Sequence, residues 1–130
     1  MKSPGESYAH GELTRKIIAS ALQVHRNLGP GLLESTYRTC LARELESSGL
    51  DFRQEVSIPI DYKGVDISGA YRADVIVENS VLLELKAVDR LLPIHEAQIL
   101  TYLKLSGLSV GLLMNFNVTR LRLGIRRLVR

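Results

Sequence analysis

Asp74, Glu84 and Lys86 are charges set inside two apolar runs, Asp74-Val75-Ile76-Val77 and Val81-Leu82-Leu83-Glu84-Leu85-Lys86, with Glu78-Asn79-Ser80 between them. Runs of Val, Ile and Leu bounded by a polar turn read as adjacent buried strands. Charge inside such strands is costly unless it is paired or metal-bound. Glu84 and Lys86 are two apart and share a face. With Glu78-Asn79-Ser80 as the loop, Val77 opposes Val81 and Asp74 opposes Glu84. With Val77-Glu78-Asn79 as the loop, Asp74 opposes Leu82 and lies diagonal to Glu84. Both arrangements put the carboxylates on one face, whereas a two-residue turn would split them. Asn79 suits a positive-φ position in the longer turn.

Two neighbouring carboxylates repel, which raises one pKa unless a cation intervenes. A hard divalent ion such as Mg²⁺ suits these oxygen donors. Lys86 is placed to orient or deprotonate a water, or to offset charge at a phosphorus centre. Phosphodiester hydrolysis uses such a constellation. A buried Asp–Lys–Glu ion-pair cluster without metal fits the same spacing equally well.

Other polar residues add to the picture. His95, Gln98 and Tyr102 recur at three and four, on one helix face. Gln98 and Tyr102 could hold a phosphate or position a catalytic side chain; His95 reads as a wet-side residue with no ligand partner at a metal spacing. Glu34 falls in the first turn of a helix, where the dipole alone favours an acid. Tyr37 suits packing against a sheet, and Cys40 lies among packing positions. Arg120, Arg122, Arg126, Arg127 and Arg130 could contact phosphates, although a charged edge strand is the favoured reading.

The elements that must position these groups follow from periodicity. Leu13, Ile17, Ala21, Val24 and Leu28 mark an amphipathic helix stopped by Gly29. Pro30-Gly31 makes a corner. A second helix runs from about Leu33 to Gly49, with Tyr37, Leu41 and Leu45 on one side. Gln54 to Tyr62 reads as an edge strand around Pro59. Strands follow at Val65–Ser68, Tyr71–Val77 and Val81–Ala87. Pro93 opens a third helix that ends at Gly107, and Val110–Phe116 is a further strand. The corner is expected to bring Glu34, and the third helix Gln98, to one cleft, with both helices over the charged face. The order predicts an α/β architecture with a central mixed sheet flanked by helices.

At 130 residues the chain has the size of one domain, read as residues 11–130 behind a flexible leader of residues 1–10. A net charge of +3 decides no partner by itself. The single cysteine points to a reducing compartment, read as the cytoplasm. No apolar run resembles a signal peptide or a membrane span. Aromatics at 5%, with no Trp, argue against a base-stacking platform as the dominant chemistry.

With Asp74, Glu84-Leu85-Lys86 and Gln98-Ile99-Leu100-Thr101-Tyr102 in view, the chain resembles the PD-(D/E)XK nuclease superfamily. Gly31-Leu32-Leu33-Glu34-Ser35-Thr36-Tyr37 narrows the resemblance to the GxxExxY group within it. It spans roughly residues 12–118 and implies a restriction-endonuclease-like core. It further implies Asp74 and Glu84 as metal ligands, Lys86 as catalytic lysine, and Glu34 as an acid of the first core helix near the metal. Gln98 and Tyr102 would form the Q-x-x-x-Y element of the RecB-like branch. Ala73 stands where the superfamily's name has Pro. The expectation is an Mg²⁺-dependent nuclease, with Mn²⁺ as a substitute ion. Its substrate would be nucleic acid, DNA before RNA, and a homodimer is compatible. The alternative is a binding or regulatory module that kept the fold without turnover.

Overall fold

A computed structural model describes residues 10–130, so the expected leader, apart from His10, lies outside the described residues. Helix α1 (Gly11–Leu28) buries Ile17, Ala21 and Val24, the stripe its periodicity predicts. Gly29 and Gly31 take φ of 71° and 99°, a region that favours glycine, and the chain turns sharply between them. Helix α2 (Glu34–Ser47) follows and buries Tyr37, Leu41 and Leu45.

Strand β1 (Phe52–Ser57) is shorter than expected. Pro59 has no N–H to continue a ladder, and the Ile58 N–H turns to donate to the Tyr71 carbonyl at 2.9 Å. The residues beyond form a separate two-stranded ribbon, β2 (Asp61–Tyr62) with β3 (Val65–Asp66), rather than joining the main sheet. The main sheet adds β4 (Arg72–Val77), β5 (Val81–Lys86), β6 (Val110–Asn115) and β7 (Ile125–Val129) in the order β1-β4-β5-β6-β7. β5 and β6 run parallel and the other neighbours antiparallel. Parallel pairing requires a crossover, which α3 (Pro93–Ser106) supplies. Of the Arg-rich tail, Arg126 and Arg127 lie on the edge strand β7, while Arg122 lies in a short 3₁₀ turn before it (Leu121–Gly124) that Arg120 precedes. Among the described residues no helix is long and apolar enough to cross a membrane.

The helices do not share a face as expected. Val75, Val77, Val81, Leu83 and Leu85 pack with Ile17, Ala21, Tyr37, Leu41 and Leu45, so α1 and α2 cover one side of the sheet. Ile76, Leu82 and Leu113 pack with Ile99, Tyr102 and Leu103, so α3 covers the other. Period-2 alternation from Leu82 then puts Glu84 and Lys86 on the α3 side; in β4 the alternation lapses at Asp74, because Ala73 packs in the α3 cluster as Ile76 does, and Asp74 is placed by its bonds to β5 instead. α2 instead packs its apolar stripe against the odd-numbered positions of β4 and β5.

The chain after β6 is held by a close approach. A methyl on Gly124 would lie 2.3 Å from the Asn115 carbonyl oxygen, a backbone atom that cannot swing aside. Gly124→Ala is expected to lower stability by roughly 1–3 kcal/mol, read as a fall in Tm. An unchanged Tm would show that this contact is free to open.

Candidate active site

The turn between β4 and β5 sets the register. Val77 pairs with Val81, Ile76 with Leu82 and Val75 with Leu83, so Glu78-Asn79-Ser80 is the loop. Glu78 and Asn79 both take positive φ, 52° and 50°. Their strain is offset by bonds. The Glu78 N–H donates to the Asp51 carbonyl at 2.8 Å, and the Ser80 N–H to the Val77 carbonyl at 2.9 Å. The Glu78 carboxylate accepts from the Asp51 N–H, and the Asn79 side-chain oxygen from Arg53.

Continued one step, this register sets Asp74 opposite Glu84, and here the backbone ladder gives way to side chains. The Leu85 N–H donates to Asp74 Oδ2 at 2.7 Å. The Asp74 N–H donates to Glu84 Oε1 at 3.2 Å. Each carboxylate thus accepts from a backbone N–H of the opposite strand, and both are fixed without a rotatable partner. On its other flank the Asp74 backbone lies across from Glu55, between the pairs Gln54–Val75 and Val56–Ala73, while the Glu55 carboxylate pairs with Arg38 of α2 at 3.7 Å. Glu55 has φ of 50°, so β1 is distorted at the level of the site.

Glu84 is 6% exposed. Burial, and next the charge of Asp74, push its carboxyl up from 4.5 to about 8, against a smaller opposing pull from Lys86. Lys86 is half-buried and forms no ion pair with either carboxylate. No ion pair closes these three charges into a salt-bridge cluster, although the Lys86 charge acts on Glu84. The carboxylates repel each other beside a lysine that is left unpaired.

Lys86 is aimed by its surroundings. It pairs in register with Asn115 on β6, and its carbonyl accepts from the Phe116 N–H at 2.9 Å. Asn115, 1% exposed, clamps the residues that follow Lys86. Its Oδ1 accepts from the Val88 N–H at 3.1 Å, and its Nδ2 donates to the Val88 carbonyl at 2.9 Å. Sequence reasoning missed Asn115. Its signal was an amide closing an otherwise apolar strand, a residue that must find partners once buried.

From α3, Tyr102 is buried under the site and receives a bond from the Gln98 amide at 3.3 Å. Burial first, and then the charges of Glu84, Tyr71 and Asp74, raise the Tyr102 hydroxyl above its ordinary value, which places it within electrostatic reach of both carboxylates. Tyr71 was not foreseen as a neighbour. His95 does not join Gln98 and Tyr102: its Nδ1 accepts from the Leu92 N–H at 3.0 Å and caps the helix.

Glu34 sits at the N-terminus of α2, exposed, on the opposite layer but at the same end of the sheet. It lines a surface depression with Ala87, the residue after Lys86. Tyr37 fixes this end. Its hydroxyl donates to the Gly29 carbonyl at 2.6 Å and accepts from the Leu32 N–H at 3.2 Å, and its ring stacks on Phe116 at 4.6 Å. Among the described residues Glu34 has no hydrogen-bond or ion-pair partner, and no three His, Cys, Asp or Glu side chains gather into a ready metal shell. Two fixed carboxylates still fit a hard cation, since Mg²⁺ typically takes one or two carboxylates and completes its shell with water and phosphate oxygens.

A three-stranded antiparallel meander, a helical crossover to a parallel strand, and Asp–Glu–Lys on the two central strands define an α/β domain of nuclease type. The chain belongs to the PD-(D/E)XK nuclease superfamily, whose sequence model matches residues 11–128. Nucleases of this superfamily generally use divalent metal ions. A solved structure described as the crystal structure of SSO0001 is similar, with a TM-score of 0.58 at 20% identity, over 93% of this chain. That likeness shows the fold, and the chain spans 59% of that protein's length. No curated protein matches the sequence.

Proposed function

We propose that the protein hydrolyses phosphodiester bonds of nucleic acid, DNA before RNA, with Mg²⁺ as the cofactor and Mn²⁺ as a substitute. The observation that carries this reading is the crossed pair of hydrogen bonds that fixes Asp74 and Glu84 side by side, 3.2 and 2.7 Å from each other's strand, with Lys86 unpaired next to them. Asp74 and Glu84 would hold the ion, which when bound would polarise the phosphoryl oxygens and offset developing charge. The Lys86 ammonium orients the attacking water and stabilises negative charge at phosphorus. Tyr102, steadied by Gln98, presents a hydroxyl to the same charged centre and positions the substrate phosphate. α3 shields the carboxylates from bulk water, which strengthens each of these interactions.

Glu34 is proposed to reach the ion through water from the shared sheet end, as the acidic residue of the GxxExxY group that the Gly31…Glu34…Tyr37 run resembles. Glu34→Ala is expected to weaken cation-dependent cleavage with little loss of stability, because an exposed N-terminal acid contributes only ~0.3–1 kcal/mol through the helix dipole. Unchanged cleavage in this variant would remove Glu34 from the site. Residues 11–130 are proposed as one domain, in the cytoplasm, and a homodimer is compatible with this reading.

The test is incubation of the purified protein with linear, circular and single-stranded DNA and with RNA, in Mg²⁺, Mn²⁺ or EDTA. Cleavage in Mg²⁺ or Mn²⁺ that EDTA stops is the expected result; intact nucleic acid in every arm would overturn the proposal. The second reading is a binding module without turnover. It is favoured by the lack, among the described residues, of a third carboxylate beside Asp74 and Glu84, and it predicts binding in those arms without cleavage.

A further inference from the structure

We propose that a cavity beside the carboxylates receives one unstacked nucleobase of the substrate, so that the protein engages single-stranded or frayed nucleic acid in preference to closed duplex. This inference rests on the nuclease reading above and names the substrate class of that site. The cavity is about 260 Å³ and lies between α3 and the Ile60 and Tyr71 side chains. α3 contributes Ile94, Gln98, Thr101 and Tyr102, a stripe at three- and four-residue spacing.

Size and chemistry select the occupant. The volume is just below the ~300–1,000 Å³ usual for pockets that take drug-sized ligands, which suits a single heterocycle and excludes a helix or strand from a partner. The walls are mostly apolar, which disfavours a phosphate or a sugar. The polar groups that remain, the Gln98 amide and the Thr101 hydroxyl, match the edge of a base. Tyr71 supplies the flat surface. The residue is 52% exposed, while its carbonyl is tied to the Ile58 N–H, so the side chain is offered from a fixed backbone. Stacking on such a ring tolerates any base.

Position joins the cavity to the proposed chemistry. Gln98 and Tyr102 are cavity walls; Tyr102 feels the charges of Glu84 and Asp74 and packs in the cluster that contains Ala73, next to Asp74, and Leu82, two residues before Glu84. An occupant of the cavity therefore shares the Tyr102 wall with the charged centre that Lys86 adjoins. In a closed duplex that base would first have to leave its stack, a cost that single strands and frayed ends largely avoid.

The test is equilibrium binding of a short single-stranded DNA carrying 2-aminopurine, and of its blunt duplex, in Ca²⁺ with strand integrity checked by gel. Thr101→Trp fills the cavity and Tyr71→Ala removes the stacking ring; both positions are exposed, and melts establish that each variant folds. The wild type is expected to bind the single strand at least about tenfold tighter than the duplex, and each variant to weaken single-strand binding about five- to tenfold, with the 2-aminopurine signal lost. Duplex binding should not change. The inference is overturned if both variants bind the single strand as the wild type does, or if duplex binds as tightly. It is also overturned if the variants alter only sedimentation, which would make the cavity a contact between copies. Cleavage is read on the same samples in Mg²⁺. The binding pattern without cleavage would sink the nuclease reading and keep the base site; cleavage with indifferent variants would do the reverse.

Discussion

Asp74→Asn is expected to cut cation-dependent cleavage by at least about 10³-fold, the scale set by losing a preorganised electrostatic group at the reacting centre. It is also expected to abolish stabilisation by Mg²⁺, with the fold intact. Asparagine keeps a side-chain oxygen where Asp74 Oδ2 accepts from the Leu85 N–H at 2.7 Å. The substitution therefore removes charge without orphaning a buried donor. It also removes the second-largest cause of the raised Glu84 pKa, after burial. In EDTA near pH 8 the variant should accordingly melt above the wild type, because like-charge repulsion at the empty pair is relieved. In Mg²⁺ the order should invert. An ion that binds only the folded state adds ~2.7 kcal/mol at a hundredfold excess over its Kd, on the order of 10 °C in Tm for a chain of this size. Wild-type melts that coincide in Mg²⁺, Mn²⁺ and EDTA would argue that no cation is held there, and wild-type cleavage by Asp74→Asn would remove Asp74 from the chemistry.

How this pair forms was legible before any coordinates. With Glu78-Asn79-Ser80 as the loop between Val77 and Val81, counting back along the strands sets Asp74 opposite Glu84. The helix ends were legible for a similarly local reason: Gly29 and Gly107 take positive φ, which a Cβ would oppose. What could not be read was the layer each helix joins. The central strands are apolar on both faces, Val75 and Val77 on one, Ile76 and Leu82 on the other. The Tyr37–Leu41–Leu45 stripe of α2 carries no mark of which face it will meet. Placing both helices over the charges was therefore a choice the pattern did not constrain, and α2 in fact packs opposite α3.

The same limit applies to Glu34 and Glu55. The position of Glu34 depends on a tertiary anchor, the Tyr37 ring on Phe116, between residues far apart in sequence. Glu55 has no local reason for its positive φ, which only the pairing across from Asp74 reveals. Asn115 differs, because an amide at the close of Val110-Gly111-Leu112-Leu113-Met114 was in plain view. A buried amide needs donors and acceptors, and the loop after Lys86 was the nearest unpaired backbone in a parallel register.

Glu84→Gln should separate the stability of this site from its chemistry. Burial first, and the Asp74 charge second, raise the Glu84 carboxyl from 4.5 to about 8. Between those values the folded protein holds a proton that the unfolded chain has released, so stability falls as pH rises through the window. The penalty is absent below the unfolded value and complete above the folded one. Glutamine keeps the oxygen that accepts from the Asp74 N–H and cannot ionise. In EDTA the wild type and the variant should therefore have similar Tm near pH 4, diverge through neutrality, and differ by roughly 1–4 kcal/mol near pH 9 in favour of glutamine. Mg²⁺ should reverse the slope of the wild type, since the ionised carboxylate is the form that takes the ion, and leave the variant unmoved. Cleavage should be lost in the variant at every pH, although it is the more stable protein. That combination follows from one physical fact, that Glu84 is buried beside a second carboxylate and is costly to ionise without a cation. Parallel Tm curves for the two proteins from acid to alkaline pH would show instead that the charge on Glu84 is already accommodated, and the case for a cation at the Asp74–Glu84 pair would fall with it.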